Sequence, residues 1–232
     1  MPAPRRTPAP KLKPKRPDGR TLRARPRAAG DEPRSGPRRQ AILDAGALLM
    51  RERGFAGTTV EDVTGQLDLT KAAFYYYVEN KEELLFQIST QTLELADTRI
   101  SAIERSTDRP DRKLARMIDS FVRLVAERPE FFTVYFQEKG HLAPKHLATV
   151  TKIERKIATA LERVVRDGSA AGLFRATDPA VAAFAILGMC FWVYTWFRPD
   201  GRATVDEVSA MFQAVALRGV QPGRRPGTKL TT

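Results

Sequence analysis

Residues 58–85 read TTVEDVTGQLDLTKAAFYYYVENKEELL, two short helical patterns separated by a tight break. Val60, Val63 and Leu67 recur at i, i+3 and i+7, the apolar stripe of one helix face. Thr59 suits the N-cap, because its hydroxyl can accept a first-turn N–H and Asp62 three residues on completes a capping-box-like pair; Thr58 with Glu61 offers a second register. This helix should stop near Asp68, since aspartate is among the few non-glycine residues that tolerate the left-handed backbone of a sharp inter-helix turn. A second helix then starts near Thr70. Its Phe74 and Val78, four apart, share the inward face, while Lys71, Ala72, Tyr75 and Tyr76 project outward.

Successive helical residues turn by about 100°, so Tyr75, Tyr76 and Tyr77 cannot all face one core. At least one lies in the open. Beside Lys71 and ahead of Lys81, an aromatic ring with a hydroxyl suits hydrogen bonding to phosphates and contact with sugars or thymine methyls. The competing reading, three tyrosines padding a small three-helix core, sits less well with the turn and the flanking lysines.

Three segments in order carry a family resemblance: RRQAILDAGALLMRERGF at 38–55, with Gly54 as helix stop and Phe55 as anchor, TTVEDVTGQL at 58–67, and LTKAAFYYYVENKEEL at 69–84. Together they resemble the N-terminal domain of the TetR family of bacterial repressors. The resemblance implies that Thr59, Thr70, Lys71, Ala72, Ala73, Tyr75, Tyr76, Tyr77 and Lys81 stand where family members commonly face bases or phosphates. Two departures are notable. Leu67-Asp68 stands where the family usually has Ala-Gly, and Ala72 where glycine is frequent.

Charge is distributed unevenly. Residues 1–36 hold eleven lysines and arginines against three acids, a net of +8, and the tail beyond Leu217 adds four more cations. Of the +12 total nothing remains for residues 37–217. The first segment is dense in proline and nearly free of large apolar residues, which predicts a disordered basic arm that lies along phosphates or enters a minor groove. A solvated extension without a partner is the alternative. No apolar stretch near Met1 reads as a secretory signal.

Beyond Lys81 the patterning is helical throughout, so the fold class is all-α. A three-helix helix-turn-helix domain is expected over 37–82, a helical effector-binding and dimerisation domain over 83–218, and a flexible basic tail over 219–232. The run AVAAFAILGMCFWVYTWF, 180–197, is eighteen residues without a charge, formally the lower limit for a membrane span. Its isolation among amphipathic helices favours a buried soluble helix that packs on its own domain on one side and on a partner on the other. With Val205–Leu217 it would form a four-helix homodimer interface, for which Phe184, Leu187, Phe191, Met211 and Phe212 are the candidates. A dimer would read a palindromic operator in double-stranded DNA with half-sites about 34–36 Å apart, or a multiple of that.

Met117, Phe121, Phe131, Phe132, Tyr135, Phe136, Phe174, Met189, Trp192 and Trp196 are candidates for an apolar pocket, but aromatics at helical spacing usually pack, so most of them are expected in an ordinary core. The phrase CFWVYTWFRPDGRATVDEVSAMFQAVALRGV, 190–220, resembles a TetR subgroup whose members often sense acyl-coenzyme A thioesters. That resemblance implies a small apolar or acyl-CoA-type effector, with Lys139, Arg198 or Arg202 toward its phosphates. Arg198 and Arg202 equally suit a helix C-terminal cap.

Catalysis finds little support. His141 and His146 lack the companions of a metal site, Cys190 is the sole cysteine in an apolar helix, and no nucleotide or nucleophile fingerprint occurs. No cofactor is implied. The reading is a cytoplasmic bacterial repressor rather than an enzyme; the alternative is a nonspecific nucleic-acid or anionic-membrane binder driven by the basic arms.

Overall fold

A computed structural model describes residues 36–175 and 178–220. The basic arm and tail therefore lie outside the described residues, apart from Gly36, Gly219 and Val220. Ten α-helices follow one another among the described residues: α1 (Pro37–Arg53), α2 (Val60–Gln66), α3 (Lys71–Tyr77), α4 (Lys81–Glu104), α5 (Pro110–Glu127), α6 (Pro129–Glu138), α7 (Pro144–Ala170), α8 (Pro179–Phe191), α9 (Val193–Trp196) and α10 (Val205–Val220), with a 3₁₀ turn at Lys139–His141. Five of them open on proline, whose fixed φ suits a first turn and whose missing N–H would be unsatisfied there in any residue.

Helix α1 ends at Gly54, whose φ of 73° lies in the left-handed region and whose N–H reaches the Met50 carbonyl at 2.9 Å. Asn80 caps α4, accepting from the Glu83 N–H at 2.8 Å. This cap sits three residues past the end of α3, so α4 grows directly out of the second helix of the pair. Its buried Leu84, Leu85 and Ile88 meet Ile42, Leu43 and Met50 of α1 in one continuous core. Further along, α4 packs on α5, α6 and α7. Helix α5 forms the centre of this second region, burying Leu114, Met117, Ile118, Phe121, Val122, Leu124 and Val125.

One expectation changes in detail. The apolar run 180–197 bends at Trp192, splitting into α8 and the single turn α9. Its outer side stays exposed, although by length and composition Pro179–Trp196 would suffice for a membrane span. Helix α7 runs past Gly168 to Ala170, and that glycine is a close approach, since a Cβ there would stand 2.1 Å from the Phe174 ring.

Candidate functional site

Between α2 and α3 the backbone turns as the sequence demands. Thr59 and Asp62 form a reciprocal cap: the Asp62 N–H donates to Thr59 Oγ1 at 3.1 Å and the Thr59 N–H to Asp62 Oδ2 at 2.8 Å. Thr58, the alternative cap, is buried and donates to the Gly54 carbonyl. Asp68 takes a φ of 51°, the left-handed conformation that closes the turn, and the Leu69 N–H returns to the Thr64 carbonyl at 2.9 Å. Thr70 then caps α3 by accepting from the Ala73 N–H at 3.1 Å.

This geometry sorts the candidate DNA-facing residues. Thr59, Thr70, Lys71, Ala72 and Tyr75 are exposed, while Ala73 and Tyr76 are half-buried. Tyr77 is a correction: only 6% of it is exposed, because it stands three residues after Phe74 on the same helix face. Its hydroxyl is buried without a hydrogen-bond partner. Lys81 is a second correction, since its ammonium donates to the Phe55 carbonyl at 2.8 Å and lies over the Phe55 ring, 4.3 Å from its centroid. These contacts tie the half-buried Lys81 of α4 to the end of α1. Lys71 forms an ion pair with Glu61 across the turn. Sequence reading passed over Arg39, which lines a cleft of about 310 Å³ with Tyr75 and Tyr76. Nothing in its local pattern distinguishes it from the other arginines of α1.

The effector region divides in two. An apolar chamber of about 390 Å³ is lined by Leu93, Tyr135, Phe136, Ile157, Leu187 and Phe191, with Phe184 and Gly188 among its exposed residues. At its edge Glu154 accepts from the Tyr135 hydroxyl and pairs with Lys139 at 3.1 Å. Burial, reinforced by Glu154, pushes the Tyr135 phenol well above its ordinary range, so it stays a neutral donor. Alongside, an open groove of about 870 Å³ between α4 and α7 carries Arg105, Lys152, Arg155, Lys156 and Arg163 against Asp97 and Glu104. Lys156 pairs with Asp97 at 3.7 Å and Arg163 with Glu104 at 3.0 Å. Arg105, Lys152 and Arg155 have no ion-pair partner among the described residues. Arg155 borders both spaces.

Of the expected pocket residues only Tyr135 and Phe136 line this chamber. Met117, Phe121, Phe131, Phe132 and Phe174 are core, each at most 3% exposed. Met189 is half-buried against that core. Trp192 and Trp196 point the other way, 62% and 45% exposed. Leu187 and Phe191, expected at a dimer interface, face inward on the chamber, and Phe191 meets Phe121 and Phe136 edge-on or tilted at 5.3 and 5.5 Å. Phe212 is half-buried beside Trp196. Phe184 and Met211 are exposed, as are Val181 on α8, Val215 on α10 and Trp192 between α8 and α9. In an all-apolar helix the sequence carries no sign of which side is inner. Of the cations expected near phosphates, Lys139 is held by Glu154, and Arg198 donates to the Phe197 carbonyl at 2.9 Å, the capping role. Arg202 is exposed in the loop before α10.

No metal-holding cluster occurs among the described residues, and burial raises the Cys190 thiol to about 12, leaving it protonated and unreactive. Two family models match: bacterial regulatory proteins, tetR family, over residues 42–88, and a tetracyclin repressor-like C-terminal domain over 107–220. The transcriptional repressor KstR2 of Rhodococcus jostii is 26% identical over 201 residues, covering 84% of this chain and 97% of its own. Among solved structures, the TetR family regulator PfmR from Thermus thermophilus is 31% identical with a TM-score of 0.72, covering 78% of this chain and 99% of that one. AibR in complex with isovaleryl coenzyme A and operator DNA is 30% identical with a TM-score of 0.70, covering 77% and 97%. The chain belongs to the TetR family, DNA-binding transcriptional regulators and not enzymes.

Proposed function

We propose that the protein is a homodimeric repressor that reads a palindromic operator through α3 and is released by an amphiphilic effector, an acyl-coenzyme A thioester. The observation that carries this reading is the course of α4. It starts directly after α3 and, three turns later, supplies Leu93 to the wall of the apolar chamber. An occupant of the chamber therefore presses on the rod that aims the recognition helix. A ligand that binds the DNA-incompetent spacing more tightly lowers operator affinity, and by linkage DNA weakens the ligand equally.

The effector class follows from the two joined spaces. An acyl chain fills the chamber walled by Phe136, Ile157 and Phe191, and the phosphates lie along the unpaired Arg155, Lys152 and Arg105. The isovaleryl coenzyme A bound to AibR supports that class. Dimerisation covers the exposed Phe184, Trp192, Met211 and Val215, a patch that a monomer would leave in water.

The test is a footprint on the intergenic DNA upstream of the protein's own gene, near physiological salt and with excess competitor DNA. The expected result is a protected two-fold repeat, lost on adding acyl-coenzyme A thioesters and retained with free coenzyme A. Protection abolished by competitor, even with residues 1–36 deleted, would instead mark a nonspecific nucleic-acid binder.

A further inference from the structure

The two histidines, which the regulatory reading leaves unused, both stand where the C-terminal region meets the DNA-reading head. His146 belongs to the first turn of α7 and is 14% exposed at its side chain. Its ring stacks on Phe86 of α4, centroids 4.0 Å apart and 10° from parallel. Two carboxylates of the first turn of α4 face it: Glu82 Oε1 stands 3.8 Å from Nδ1 and Glu83 Oε2 3.7 Å from Nε2. Nδ1 is buried with no hydrogen-bond partner.

The carboxylates do not end there. Glu83 Oε1 accepts from Gln87 Nε2 at 2.9 Å, and Gln87 Oε1 accepts from Arg39 Nε of α1 at 3.0 Å. Glu82 accepts from the Ala143 N–H at 2.9 Å, one residue before α7. Arg39, Glu83 and Gln87 also border the cleft beside Tyr75 and Tyr76. A polar chain thus runs from α7 through the start of α4 to α1 and the flank of the recognition helix. The other histidine, His141, stacks on Phe55 at 5.0 Å with Glu138 at 3.5 Å and Lys81 over the same phenylalanine. It touches none of these groups.

We infer that His146 is a proton-operated clamp between α7 and α4, and that the chain His146–Glu83–Gln87–Arg39 passes its state to the DNA-reading head. A neutral imidazole leaves a buried nitrogen unsatisfied between two carboxylates held beyond hydrogen-bond reach. An imidazolium has donors on both nitrogens, draws Glu82 and Glu83 in as charge-assisted partners, and keeps a cation over the Phe86 ring. The sign follows from the donors: protonation closes the clamp and loss of the proton opens it. Closing it fixes the angle at which α4 leaves α7, the angle that the proposed effector also acts on. The link to DNA rests on that regulatory reading; the clamp itself does not.

The experiment compares the full-length protein with the double variant Glu82→Gln, Glu83→Gln, which keeps the size, the Ala143 acceptor and the ring stack while removing both charges. Thermal unfolding without DNA tests the clamp. The Tm advantage of the wild type should be larger in mildly acidic buffer than in neutral buffer. Affinity for the footprinted fragment tests the relay, changing by about threefold across the same range in the wild type and staying flat in the variant. A Tm difference that ignores pH overturns the clamp. A widening Tm difference with the same pH slope of DNA affinity in both proteins overturns the relay. A protein that protects no fragment refutes the DNA-reading assignment, and the Tm arm still decides the clamp.

Discussion

Lys71 and Glu61 pair across the helix-turn-helix, an exposed ion pair between the first residue of the recognition helix and the first turn of the helix before it. The hydrogen bond from Lys71 holds the Glu61 carboxyl below the usual carboxylate range, and the same bond raises the Lys71 ammonium. With both partners in solvent the pair adds little to stability, but it competes with a phosphate for the same ammonium. Glu61→Gln should tighten operator binding about threefold at low salt, and Lys71→Gln should weaken it while lowering the salt slope by about one. Titrations of affinity against salt check both. Because a depressed carboxylate loses its pairing only as pH falls through its lowered value, the Glu61 effect should be unchanged down to about pH 5.

Tyr75 and Tyr77 should separate recognition from packing. Half of Tyr75 is exposed, so Tyr75→Ala should cost about tenfold in operator affinity at an unchanged Tm. The Tyr77 hydroxyl is buried and unpartnered. Tyr77→Phe removes an unsatisfied polar group and should stabilise the fold by about 1 kcal/mol, leaving affinity within about twofold. Loss of DNA binding in the Tyr77 variant would restore it to the reading face.

The turn offers a backbone test. Asp68 holds a φ of 51°, which costs a residue bearing a Cβ about 1 kcal/mol relative to glycine. Asp68→Gly should raise the unfolding free energy by about 0.5 kcal/mol after glycine's entropic penalty, and Asp68→Val should lower it by about 1–2 kcal/mol. Denaturant melts of the two variants would show opposite shifts.

How much of this was legible in the sequence depended on whether polarity alternated. In 58–78 apolar and polar residues interleave, so the inward Val60, Val63 and Phe74 follow from spacing and the Asp68 turn from residue type, while the choice of Thr59 over Thr58 as the cap needed the structure. Tyr77 did not, because a ring with a hydroxyl suits either side and the deciding fact was its rotation relative to Phe74. In 180–197 every side is apolar, and nothing local says that Leu187 and Phe191 wall a chamber with Phe184 at its exposed rim while Trp192 faces outward. The unpaired Arg105, Lys152 and Arg155 were equally hidden. Their convergence needs α4 beside α7, a long-range contact that one-dimensional charge counting cannot show.

The exposed apolar surface makes a prediction about assembly. Phe184 on α8 and Met211 on α10 are 65% and 62% exposed. Phe184→Glu with Met211→Glu should leave the helical content intact, because neither side chain is part of the core. Sedimentation should report monomers, since two like charges per subunit would be forced into a desolvated interface. Operator affinity should fall by at least about a hundredfold, because a single half-site keeps only part of the contact energy. A dimer that survives both changes would assign the interface to another face.

Gly188 gives the most direct test of the chamber. It borders the cavity in the last turn of α8, and a Cβ added there meets nothing within 4 Å. Gly188→Leu should therefore grow into open space without overpacking. It should also gain up to about 1 kcal/mol by replacing glycine within a helix. If the chamber holds the acyl chain, this variant should bind operator normally, remain dimeric, and need at least about tenfold more acyl-coenzyme A for release. Arg155→Ala supplies the complementary case, because Arg155 borders the groove and the chamber alike. Losing its charge should weaken the response to the thioester about tenfold while leaving any response to the free fatty acid unchanged. Fluorescence anisotropy of a labelled operator, titrated with each ligand, reads all four combinations. A normal thioester response in Gly188→Leu would move the effector out of the chamber, and a normal one in Arg155→Ala would move its phosphates off the α4–α7 groove.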